Sequence, residues 1–270
     1  MVASGLTLTL GVIKVFNFAQ GHFYMLGAFL TFAVAVSFGL PYPVAILAAL
    51  VSMAILGVLL YFGIIQKTIP QGFFSTMLAT VMFATLINQV SLLTFAYKER
   101  SIPAVFPGTL NISEVSLSWG RLFVIACAIA LMLALYYFMK TKIGTAMLAA
   151  AENSEVASLQ GVNAKQIFWV TMAVGCGLSG IAGAIIAPIQ GAYLVMGQNI
   201  FLRALLVVLV GGMGSMSGAL IAGFLIGILE SFTFQYLGYL NMIAILVGVG
   251  ILVFFRPGGL LGKPLPVPGE

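Results

Sequence analysis

The chain has 270 residues, of which 62% are hydrophobic and only 6% charged. Soluble domains carry about 25% charged side chains, so this surface is made for hydrocarbon and a water-soluble enzyme is excluded. The formal charge of +5 would suggest nucleic acid on a soluble protein, but here the basic residues flank apolar runs and act as topology signals, so nucleic acid is excluded as a partner.

A spanning helix takes about 20 apolar residues. Val2–Phe18 opens the chain as a short segment interrupted by Lys14 and Asn17. It has no basic region before it, so it reads as an incomplete first span and not as a cleavable signal. Asn17, Gln20 and His22 then surround Gly21. Glycine there invites a break in the helix. Broken backbone inside a membrane is tolerated where protein or a water-filled cavity satisfies it, and half-helix ends can meet a solute's charged groups. A polar turn at the membrane surface is the equal alternative.

Full spans follow at Phe23–Gly39, Val44–Ile65, Phe73–Phe95, Leu122–Met139, Ile167–Pro188, Ala219–Tyr236 and Leu240–Phe255. Phe201–Val210 is a second short segment and ends in the glycine-rich run GGMGSMSG. Its glycines, Gly211, Gly212, Gly214 and Gly218, suit a tight turn between helices better than a hinge. The expected architecture is all-α: a polytopic membrane helix bundle of about 8 transmembrane helices with one or two short or broken segments. Residues 1–270 read as a single transmembrane domain. Asn88 and Gln89 are expected to make interhelical hydrogen bonds. Gly180 and Ala184, Ala219 and Gly223, and Gly223 and Gly227 have the four-residue spacing that lets helices approach closely. Asn111-Ile112-Ser113 matches a glycosylation sequon, which chance explains. Trp119 is placed to anchor at the interface.

The longest polar stretch near the middle is GTAMLAAAENSEVASLQGVNAKQIF, Gly144–Phe168. Gly144–Ala151 is a run of good helix formers. Asn153 or Ser154 can cap a second short helix, with Glu155 in its first turn and Gly161 as its stop. Val156 and Leu159 form a small apolar face, and Asn163-Ala-Lys-Gln has the form of a capping box for the next span. A plain connector needs only a handful of residues. A helix lying on lipid would carry basic residues, yet Ala149–Gly161 has Glu152 and Glu155 and no Lys or Arg. The island therefore reads as a docking element. With it on the cytoplasmic side, Lys14, Lys67, Lys140, Lys142, Lys165, Arg256 and Lys263 fall inside, and Lys98, Arg100, Arg121 and Arg203 fall outside. That assignment requires Phe201–Val210 to cross the membrane.

Ionisable groups within spans are costly and are functional suspects. Glu230 lies deep in Ala219–Tyr236, and Arg203 lies near the outer end of the preceding short segment. The spacing predicts a structural Arg203–Glu230 ion pair, with substrate contact as the second role for Glu230. Cys127 and Cys176 lie in apolar runs as small hydrophobes. The chain has no Walker A motif, nucleophile elbow, zinc-protease motif or metal-ligand spacing, so no catalytic, metal or cofactor site is expected in it.

The island resembles the cytoplasmic loop of ABC importer permeases, and more closely that of the LivH-type branched-chain amino acid permeases. Three further stretches carry the resemblance in the expected order: GLTLTLGVIKVFNFAQGHFYMLGAF (Gly5–Phe29), VGGMGSMSGALIAGFLIGILE (Val210–Glu230) and FRPGGLLG (Phe255–Gly262). Family members usually carry Arg where this chain has Leu148, and they begin with more residues before the first Gly-Leu-Thr-Leu segment. The resemblance implies a permease in the bacterial inner membrane that moves branched-chain amino acids into the cytoplasm. Its partners would be two cytoplasmic ABC ATPases that hold the ATP and Mg, a second related permease, an extracytoplasmic amino-acid-binding protein and membrane lipid. Residues 140–166 would be the ATPase-coupling loop, with Ala149, Ala150, Ala151, Glu152, Glu155, Leu159 and Gly161 at its centre. Asn17, Gln20, His22 and Glu230 would be candidates for the translocation path. Related permeases move urea or amides. From a different class, an ion-coupled secondary transporter is the alternative; it would favour charges at the bilayer midplane and symmetric halves, and this sequence offers one deep acid, Glu230, and no convincing repeat.

Overall fold

The computed structural model describes residues 1–103, 108–112, 115–256 and 258–261. Ser113 of the sequon, together with Glu114, Pro257, Gly262 and Lys263, lies outside the described residues. Helix α1 covers Val2–Ile13, its last turn widening to π geometry. Helix α2 covers Gln20–Phe32 and continues as a π turn over Ala33–Ser37. Helices α3 (Tyr42–Gln71) and α4 (Phe73–Phe95) follow. A two-stranded antiparallel hairpin, β1 (Thr109–Ile112) and β2 (Val115–Ser118), precedes α5 (Trp119–Met139). The polar island folds as α6 (Lys142–Glu152) and α7 (Ser154–Leu159). Helices α8 (Ala164–Gln190), α9 (Met196–Gly211), α10 (Met216–Leu237) and α11 (Asn241–Phe255) complete the described chain.

Five of these helices are long and apolar enough to cross a membrane: α3, α4, α5, α8 and α10. Two expected full spans are not among these five. Phe23–Gly39 is divided into helix and π turn, and Leu240–Phe255 forms a helix of 15 residues. Conversely, the weak segment Phe201–Val210 grows to the 16 residues of α9, about 24 Å of helix. One end of α9 adjoins Ala192, which pairs with Arg100 of the α4–β1 loop. At its other end Val210 and Gly211 accept backbone hydrogen bonds from Leu260 and Leu261. Its first turn packs on that of α2, with Gly197 and Gly21 meeting backbone to backbone. The glycine-rich run is a turn. Gly211 and Gly218 lie so close that a Cβ on either would overlap the other's backbone, and Gly259 rests against Gly212 in the same way.

Helix α8 is the central pillar. In it 78% of the apolar window is buried, against 11% for α5 and 22% for both α4 and α10. Its small residues admit neighbours on several sides. A Cβ at Gly183 would strike the Tyr24 carbonyl, and Gly180 is pressed between Gly27 of α2 and Met53 of α3. Gly223 and Gly227 behave differently. Gly223 meets only Val207, in ordinary contact, and Gly227 meets nothing within 4 Å, because that part of α10 faces away from the bundle. Asn88 and Gln89 make no interhelical hydrogen bond among the described residues. The buried stripe of α4 is Thr76, Thr80, Ala84, Ile87 and Ser91; Asn88 and Gln89 fall beside it, with Gln89 exposed.

Candidate functional site

The chain offers three places where polar or solvent-facing groups are organised. The first is the island. Thr141 caps α6 by accepting from the Gly144 amide. Gly144, Met147 and Ala150 recur every three residues and are the buried face of α6. Met147 and Ala150 enter the same core as Leu8, Val12 and Ile13 of α1 and Ile167 of α8. Asn153 ends α6 and caps α7, its Oδ1 accepting from the Glu155 and Val156 amides at 3.0 and 3.2 Å. At the far end, the Val162 amide reaches the Ala157 carbonyl and the Gly161 amide reaches the Ser158 carbonyl. Gly161 supplies the positive φ of +86° that this closure needs. Asn163 then caps α8 through the Gln166 amide.

These bonds hold a six-residue helix whose apolar face points outward. Ala157 is buried, while Leu159 is 86% exposed and Val156 50% exposed. Ala149, Glu152, Glu155 and Gly161 are exposed beside them, and Ala151 is half-buried. The island is thus a rigid shelf with two apolar knobs, fixed to the base of α8.

The second place is the break between α1 and α2. Lys14 adopts a left-handed conformation (φ +59°) that ends α1. Residues 14–19 then run without helical structure into the protein. Thr80 of α4 serves their backbone, donating to the Phe16 carbonyl at 3.0 Å and accepting from the Phe18 amide at 3.4 Å. Asn17 and Gln20 are both fully buried. Gln20 Nε2 donates to the Gly175 carbonyl at 2.6 Å and to Ser179 Oγ at 2.7 Å, and Asn17 Nδ2 donates to Gln20 Oε1 at 3.1 Å. Gly175 lies about 16 Å along α8, so α2 begins deep in the bundle, clamped to the pillar. His22 is half-buried on the first turn of α2. Asn17 and Gln20 therefore satisfy one another and α8, with no side open to a solute within this chain. Ser179, Gly175 and Thr80, which complete the clamp, carry no signal in the sequence: each is a small residue within an apolar helix.

The third place lies between α9, α10 and α11. Arg203 Nη2 and Glu230 Oε1 stand 2.8 Å apart, with side chains 48% and 26% exposed. They line a cleft with Leu206, Ile226, Met242 and Ile245. Of the four candidates for a translocation path, Asn17 and Gln20 share one cluster, and Glu230 belongs to another.

A family model described as the branched-chain amino acid transport system permease component matches residues 1–255. The chain belongs to this family. The permease is 26% identical over 287 residues to the high-affinity branched-chain amino acid transport system permease protein BraD of Pseudomonas aeruginosa, an alignment covering 98% of this chain and 91% of BraD. It is 27% identical over 286 residues to the permease protein LivH of Escherichia coli K12, again covering 98% and 91%. It is 29% identical over 264 residues to a probable LivH of Methanocaldococcus jannaschii, covering 94% of this chain and 81% of the relative. No solved structure matches the permease. Family and helices together make it a multi-pass membrane protein and a transport component, not an enzyme.

Proposed function

We propose that the permease is the membrane-spanning subunit of an ABC importer that moves branched-chain amino acids into the cytoplasm across the bacterial inner membrane. Two cytoplasmic ABC ATPases, which hold the ATP and Mg, engage the island. A second, related permease completes the membrane unit, and an extracytoplasmic binding protein delivers the amino acid. The observation that carries this reading is the outward apolar face of α7, Val156 and Leu159, on a helix capped at both ends and joined to the most buried helix of the bundle. An exposed apolar pair on a rigid, non-basic element suits a protein groove better than a lipid surface. Closure of the ATPases would push α7, and α8 would carry that push to the α2 clamp.

Mild-detergent purification of the chain co-expressed with its native neighbours tests the reading. A stoichiometric ABC ATPase is expected, lost with Leu159→Asp or with a scrambled Ala149–Gly161 segment. A folded, membrane-inserted chain that brings no ATPase would overturn it.

A further inference from the structure

We infer that the outward face of α4 around Gln89 is the seam along which the second, related permease packs. The inference rests on the proposed pairing of two permeases and names the face of this chain that makes it.

Helix α4 turns Thr76, Thr80, Ala84, Ile87 and Ser91 to the bundle. Its opposite face carries Met82, Thr85, Leu86, Gln89 and Leu93, all exposed, with Leu93 87% so. The Thr85 hydroxyl is spent on the Val81 carbonyl of its own helix, at 3.0 Å. The Gln89 amide has no hydrogen bond among the described residues. Its two N–H donors and its carbonyl all need a partner from outside the chain.

Hydrocarbon does not suit this face, because it leaves a polar amide unpaired. Gln89 lies six residues before Phe95, where α4 ends, and so about 9 Å from that end. Side chains on a helix lean toward its N-terminus. That lean takes the amide deeper, away from the nearer membrane surface, so it does not reach water by stretching along the helix. A water-filled channel does not suit the face either. It would serve Gln89 but would wet the exposed Met82, Leu86, Val90 and Leu93 around it. A partner helix meets both needs, with apolar contact along the face and a polar group opposite Gln89. In lipid such interhelical hydrogen bonds join helices, and a single buried polar group sets which helices pair and in what register.

Helix α5 is the contrast. It is the least buried of the five long spans. Its exposed side chains at Ile125, Ala126, Ile129, Ala130 and Leu133 are all aliphatic. Lipid satisfies that face completely.

The test uses the whole transporter, expressed with its native neighbours and kept in the membrane. The photoreactive residue p-benzoylphenylalanine replaces Gln89 in one variant and Ile129 in a second, and the adducts formed on illumination are identified by peptide mass. Gln89 is expected to give an adduct with the related permease, and Ile129 is expected to give adducts with lipid. Adducts at Gln89 with lipid alone, or with a second copy of this chain, would overturn the seam. Should the bulky probe at Gln89 keep the subunits apart, the same probe at Leu93, one turn further along the face, reads the same surface with the same outcomes. Gln89→Leu breaks no bond within this chain. It is expected to insert and to bring the ATPase as wild type does. The related permease recovered with it should fall about threefold or more, the loss of one interhelical hydrogen bond. Gln89→Asn keeps an amide and should recover part of that loss. Full recovery of the related permease with Gln89→Leu would overturn the role of the amide. A wild-type chain that brings the related permease and no ATPase would refute the proposed function and leave the seam standing, a result distinct from all of these.

Discussion

Gln20→Leu tests the clamp that starts α2 inside the bundle. The substitution keeps most of the side-chain volume and removes all of its hydrogen bonds. Two bonds to α8 disappear, at 2.6 and 2.7 Å, and Asn17 Nδ2 loses its acceptor at 3.1 Å. Interhelical hydrogen bonds in membrane proteins contribute about 0.6 kcal/mol each and at most about 1.7. Orphaning a buried donor adds about 1–3 kcal/mol. Gln20 and Asn17 are fully buried, and Gly5 and Gly175 close the space around the Gln20 amide, so water has little room to replace the lost partners. The expected loss is about 2–4 kcal/mol, a lowering of Tm in detergent by about 5 °C or more. Ser179→Ala removes one partner and should lower stability by about 1 kcal/mol. Because the two side chains touch, the double variant should be less damaging than the sum, with a coupling of about 0.5 kcal/mol or more. A Gln20→Leu permease that melts within about 1 °C of wild type, or additive single effects, would refute the clamp as the anchor of α2.

The island yields two further predictions. Asn153→Ala removes both bonds that cap α7 and should weaken that helix by about 1 kcal/mol. ATPase capture should fall while the melting of the bundle, which lies elsewhere, stays unchanged; unaltered capture counts against a preformed α7. Gly161→Val faces no atom within 4 Å but must hold φ +86°, a conformation that costs a β-branched residue about 1–2 kcal/mol or more. Insertion should persist while ATP hydrolysis becomes uncoupled from uptake, as measured by the ratio of the two rates in proteoliposomes; wild-type coupling would reject the mechanical role of this turn.

Much of the island could be read from residue types, because local signals decide it. Asn153, Gly161 and Asn163 act on backbone groups two to five residues away, so their roles follow from position in the chain. The π turn at Ala33–Ser37 and the hairpin before α5 had no such signal. Neither did the side on which a span would be buried. Gly180 and Gly227 look alike as small residues at helix-packing spacing, yet one is pressed between α2 and α3 and the other meets nothing.

Composition alone determined that this chain lives in a membrane, since 6% charged residues cannot coat a water-exposed surface. The long apolar runs located the spans, and the caps shaped the island. Only the tertiary structure decided that α8 is the pillar, that Gln20 is held by α8 and closed off from solute, and that Arg203 and Glu230 share a cleft with apolar residues from three helices. The reason is physical. In a bilayer nearly every span is apolar all round, so the pattern that separates inside from outside in a soluble helix is erased. Which faces meet is then settled by shape, small residue against backbone, and by the few polar groups that must find partners across helices.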